Sequence, residues 1–146
     1  MNHHLAGIII GGLMPALILG GFGVMQKTCL RAGLGLGPFF VITGGTIVVF
    51  GLVCCLLSAS GHVSLKAGFY ALAAGLLWAL GTGLILLSVS RFGASISQLA
   101  PLYNMNTLVV VLLGLLVFSE WQQVRPAPLW IGTVLIVLGA LFVARA

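Results

Sequence analysis

Residues 95–121 read SISQLAPLYNMNTLVVVLLGLLVFSEW, and the fold follows from how this stretch is read. It is long enough to cross a bilayer and carries no charge before Glu120, the only acidic residue of the chain. Its second half, Leu108–Phe118, is apolar apart from Gly114. Its first half holds Ser95, Ser97, Gln98, Tyr103, Asn104, Asn106 and Thr107, with Pro101 among them. An amide left unpaired in hydrocarbon costs several kcal/mol, so these groups must face other helices or a wet cavity. Polar side chains inside a span that face a cavity are what a solute path requires.

Outward from this stretch the rest of the chain has the same character. Of 146 residues, 61% are hydrophobic and 5% charged. Soluble domains carry about 25% charged residues, which excludes an ordinary water-soluble globule. Five apolar segments have spanning length: Leu5–Met25, Gly37–Leu57, Ala67–Val89, Ser95–Ser119 and Leu129–Ala144. About 20 residues at 1.5 Å each cover the ~30 Å of hydrocarbon. The predicted class is therefore all-α: a polytopic membrane protein with a five-transmembrane-helix bundle in a single domain, 1–146. The connections Gln26–Leu36, Ser58–Lys66, Ser90–Gly93 and Glu120–Pro128 are short, which favours antiparallel neighbours. The first segment is not read as a cleaved leader, because Met-Asn-His-His lacks a basic start and the apolar run is too long. Pro15, with Gly11, Gly12, Gly20, Gly21 and Gly23 around it, predicts a kinked or locally opened helix, or close packing.

In the third segment Ala67, Ala71, Gly75, Ala79 and Gly83 recur every four residues. This stripe of small side chains lets another helix approach closely, from the same chain or from a second copy. Trp78 lies off the stripe and either lines a pocket or packs in the core. Asn104 and Thr107 share a helix face with Pro101 and Ser97, and Gln98 shares another with Asn106. Pro101 releases the carbonyl of Ser97 from its helical bond. Trp78, Gln98, Pro101, Tyr103, Asn104, Asn106 and Thr107 are the candidate solute-binding residues. Ala71, Gly75, Ala79 and Gly83 are the helix-packing set.

Six scattered basic residues give a net charge of +5 and form no run, so a nucleic-acid surface is not indicated. Lys27, Arg31, Arg91 and Arg145 fall on the C-terminal side of the membrane and Lys66 and Arg125 on the other. This bias favours a cytoplasmic C-terminus and is small enough to permit insertion both ways. Cys29, Cys54 and Cys55 show no metal or redox spacing, and His3, His4 and His62 read as exposed histidines. No cofactor or metal is expected. Carboxylate pairs, catalytic triads and phosphate loops are missing from the sequence, so an enzyme is not expected. Glu120 ends its span beside Trp121 and is read as pairing with a group such as Arg125 rather than as a proton-coupling acid.

The span from about Phe69 to Ala146 resembles the EamA domain of the drug/metabolite transporter superfamily. The resemblance rests on ALAAGLLW (residues 71–78), LSVSR (87–91), GASI (93–96), Pro101, LGLLVFSEW (113–121) and IGTVLIVLG (131–139). It implies one half of an inverted-repeat transporter, which an antiparallel homodimer or a heterodimer with a paralogous half would complete. The implied function is alternating-access transport of small polar or amphipathic metabolites in a bacterial inner membrane. A non-transporting membrane subunit and a lipid-linked sugar flippase subunit are the alternatives. The related small multidrug resistance proteins carry an acid in their first span. Leu5–Met25 has none, so their proton exchange does not carry over.

Overall fold

A computed structural model describes Gly7 and residues 9–57, 64–118 and 126–145. Every regular element among the described residues is helical. Five segments are long and apolar enough to cross a membrane: Ile9–Arg31, Leu36–Leu57, Leu65–Arg91, Ile96–Val117 and Ala127–Ala144. The protein is thus all-α and polytopic. His3, His4, His62, Glu120, Trp121 and Arg125 lie outside the described residues. The chain divides into two compact units, Met1–Gly93 and Ala94–Ala146.

In the first unit a π-helical turn, Ile9–Leu13, leads into α1, Met14–Arg31. Pro15 stands in the first turn of α1. It cannot donate to a carbonyl of the preceding turn, and the wider turn before it accommodates the missing bond. The opened helix expected around Pro15 is therefore present.

The end of α1 differs from the sequence reading. Gln26, Lys27 and Arg31 are helical and do not belong to a loop. Gly33, at φ +87°, terminates the helix. Its N–H donates to Leu30 O and that of Leu34 to Cys29 O, both at 3.0 Å. This is the left-handed glycine cap that satisfies the last carbonyls of a helix. The connection shrinks from Gln26–Leu36 to Ala32–Gly35.

Helix α2, Leu36–Leu57, follows at once, and α3 spans Leu65–Arg91. The Ser64 hydroxyl caps α3 by accepting from Ala67 N at 3.1 Å. Helix α3 packs on both α1 and α2. Gly83 lies beside Phe40 and Leu36, while Trp78 meets Phe40. Rising numbers on α3 thus match falling numbers on α2, and the two are antiparallel. The short connection makes α1 and α2 antiparallel as well, so α1 and α3 run parallel.

The buried residues of this unit are Gly23 and Gln26 on α1, Phe39 on α2, and Thr82 and Leu86 on α3. All lie toward the end that carries Lys27, Arg31 and Arg91. In the opposite halves Leu17 is 67%, Phe50 69% and Leu72 75% exposed.

In the second unit the fourth span is two helices, α4, Ile96–Tyr103, and α5, Asn106–Val117. The last span is α6, Pro126–Ala144. Both α4 and α5 pack against α6, with Leu115, Thr133 and Ala140 buried. The span expected over Ser95–Ser119 is present as Ile96–Val117 and carries a local break. The interruption falls at Asn104–Met105, not at Pro101, which stays inside α4.

Candidate functional site

The interruption of the fourth span is built by local chemistry. Ser95 caps α4: its Oγ accepts from Gln98 N at 3.3 Å and lies 3.2 Å from Gln98 Oε1, which accepts from it. Ser95 Oγ also lies 3.0 Å from Ser97 Oγ. Such a reciprocal pairing of the cap residue with the residue three further on fixes the first turn. The Gln98 amide is thereby engaged at the cap.

Beyond Tyr103 the backbone tightens. Asn104 has φ −68° and ψ −10° and Met105 φ −60° and ψ −12°. Met105 N donates to Leu102 O, Thr107 N to Asn104 O, and Leu108 N to Met105 O, each three residues back at 3.0–3.1 Å. A 3₁₀ passage inside a helix marks strain or a hinge. The eight residues of α4 rise about 12 Å, so the passage lies inside the spanning segment, about 12 Å along it from its start.

Asn104 lies in this passage and Asn106 follows it; both are exposed, and neither amide side chain has a hydrogen-bond partner among the described residues. Pro101, Tyr103 and Thr107 are half-buried. Two unpaired amides at this depth need water, solute or a polar partner. The second unit also has an apolar depression of about 390 Å³, lined by Val110, Val111, Leu113, Leu115, Phe118 and Leu129 among others. None of the candidate polar residues lines it. Its lining among the described residues is aliphatic and aromatic, a surface suited to hydrocarbon.

Trp78 belongs to the first unit. Its ring lies 6.1 Å from that of Phe22 and 6.4 Å, edge-on, from that of Phe40. Phe40 in turn meets Phe39 at 5.6 Å. Trp78 thus joins all three helices of its unit and keeps 40% of its surface exposed.

The small-residue stripe divides in function. A Cβ on Gly83 would sit 3.7 Å from the Phe40 ring, whereas one on Gly75 would meet nothing within 4 Å. Ala79 is half-buried and Ala71 exposed. The stripe is in use at its Gly83 end within the chain and open at its Ala71–Gly75 end.

Gln26 was expected in a loop and is 2% exposed, with its Nε2 buried and without an acceptor among the described residues. The misplaced end of α1 hid it; the glycine at position 33 was the signal. Thr82 is 6% exposed. Thr28, Thr46, Ser88 and Thr133 each donate to the carbonyl four residues back. The Thr82 hydroxyl makes no such bond. Among the described residues no three His, Cys, Asp or Glu side chains gather into a metal-binding group.

Compared with family models, with curated proteins and with solved structures, the chain matches none of them.

Proposed function

We propose that this chain is a transporter unit of the drug/metabolite class, carrying small, neutral, polar or amphipathic solutes across the membrane. The observation that carries the reading is the break inside the fourth span, with Asn104 in the tightened turn and Asn106 just after it, neither amide partnered among the described residues. Irregular backbone is tolerated inside a membrane where it is covered by protein or lines a water-filled cavity, and transporters place their sites at such discontinuous helices. The donors and acceptors there are neutral amides, a hydroxyl and a phenol, which suits uncharged hydrogen-bonding groups on the solute. Tyr103 supplies aromatic surface for its apolar part. The resemblance of residues 69–146 to the EamA domain supports the same reading. A second unit in inverted orientation, from a second copy or a paralogous half, completes the path. Its place is a bacterial inner membrane with the C-terminus cytoplasmic. Transport runs on gradients and needs no enzymatic step.

The test is flux in proteoliposomes against a panel of neutral amides, polyols and amphipathic metabolites. Asn104→Leu and Asn106→Leu should each lower flux of a transported solute about tenfold, the loss of one buried hydrogen bond of about 1.4 kcal/mol. Protein yield and thermal midpoint should stay unchanged. No flux for any solute, or variants that alter only abundance and assembly, would point to a non-transporting subunit instead.

A further inference from the structure

Among the described residues, those buried in the first unit lie toward one end, and that end holds an amide without a partner among them. Gly23, Gln26, Phe39, Thr82 and Leu86 are buried there, while the far halves of the same three helices bury nothing. What holds the end together is the aromatic chain Phe22–Trp78–Phe40–Phe39 and the contact of Gly83 with Phe40. Gln26 follows Phe22 by one turn on α1, and Thr82 follows Trp78 by one turn on α3. Because the two helices are parallel and Phe22 meets Trp78, Gln26 and Thr82 share a level just beyond the aromatic layer.

Gln26 is almost wholly enclosed and its Nε2 finds no acceptor among the described residues. A buried donor without an acceptor carries its full desolvation penalty, whereas in an opened arrangement water or a solute oxygen satisfies it. Lys27, half-buried, and the exposed Arg31 and Arg91 add three like charges at the same end, with no acidic side chain among the described residues. Aromatic packing favours closure; the unmet amide and the cations favour opening. A packed element with two discrete arrangements of similar free energy is what a gate requires.

The geometry points to a gate at the Lys27–Arg31–Arg91 end of the first unit, shut by the Phe22–Trp78–Phe40 cluster and biased toward opening by the unpaired Gln26 amide. It deepens the transport reading and rests on it for its purpose. Its test reads accessibility, not flux, so the two can fail separately.

Cys29 lies one turn beyond Gln26 on α1 and is half-buried. In the full chain with Cys54→Ala and Cys55→Ala, reconstituted in proteoliposomes, the probe is the rate at which a water-soluble maleimide labels Cys29. When opening outpaces the reagent, this rate reports the open fraction. Gln26→Leu puts an apolar side chain of similar size in its place and removes the orphan donor. It should slow labelling about tenfold, equivalent to about 1.4 kcal/mol, and leave the thermal midpoint equal or higher. Gln26→Met should act in the same direction, and Trp78→Ala should speed labelling several-fold. A Gln26→Leu protein that labels as fast as the parent, or that unfolds at a lower temperature, overturns the gate. Absence of flux with these labelling shifts intact would remove the transport reading and leave the gate standing.

Discussion

Gly83 and Gly75 sit on one stripe of α3, eight residues apart, yet the structure assigns them opposite tolerance to a larger side chain. A Cβ at Gly83 meets the Phe40 ring at 3.7 Å and Leu36 Cδ2 at 4.0 Å, which is ordinary contact. Gly83→Ala therefore fits, and it removes the helix cost of glycine, up to about 1 kcal/mol. The remaining atoms of a leucine reach farther than Cβ, into the space that Phe40 fills. Gly83→Leu forces Phe40 off its contact with Trp78 and should cost about 1–3 kcal/mol, the usual range for an overpacked core. At Gly75 nothing lies within 4 Å, so Gly75→Leu should leave the fold of the unit unchanged. Thermal unfolding in detergent, followed by a thiol-reactive dye, reads all three variants, with cross-linking in membranes alongside. Loss of cross-linked dimer in Gly75→Leu alone would show a second copy seated on the open end of the stripe. The reasoning fails if Gly83→Leu is neutral, or if Gly75→Leu unfolds monomeric protein as readily as Gly83→Leu does.

Three further outcomes are expected. Ser95→Ala removes the cap of α4 and the hold on Gln98, and should lower stability by about 1 kcal/mol in a detergent melt. Thr133→Val should change the same melt by less than about 1 kcal/mol. The Leu129 carbonyl accepts from that hydroxyl at 2.8 Å, an extra bond whose loss leaves a methyl group of the same shape. Gly33→Ala should destabilise the end of α1 by about 1 kcal/mol, since φ +87° strains any residue with a Cβ. It should also speed maleimide labelling of Cys29 next to the loosened cap.

The five spans were legible because apolar runs of bilayer length have few other physical uses. Their ends were less so. Hydropathy falls at Gln26–Lys27, but a helix ends where its last carbonyls find partners, and that happens at Gly33. Long basic side chains reach the interface from within the helix, so Lys27 and Arg31 do not end it. The same error put Gln26 in water, although the packing of α1 on α3 buries it. In the fourth span the polar residues drew attention to the right place, but the break lies three residues past Pro101. Proline removes the bond to Ser97 behind it, whereas the passage forms at Asn104 and Met105, where the bonds shorten to three residues. The position of Trp78 among Phe22 and Phe40 depends on contacts far apart in the chain, which spacing along one helix does not encode.

On this reading the interruption at Asn104–Met105 meets water or solute inside the membrane. Single cysteines at 102, 104, 106, 110 and 116, in a chain lacking Cys29, Cys54 and Cys55, test it through labelling by a water-soluble maleimide in intact membranes. Rapid labelling is expected at 104 and 106, slower labelling at 102, and none at 110 and 116. Positions 104 and 106 as inert as 110 and 116 would contradict it, since the break would then be sealed by protein or lipid and no solute would reach it.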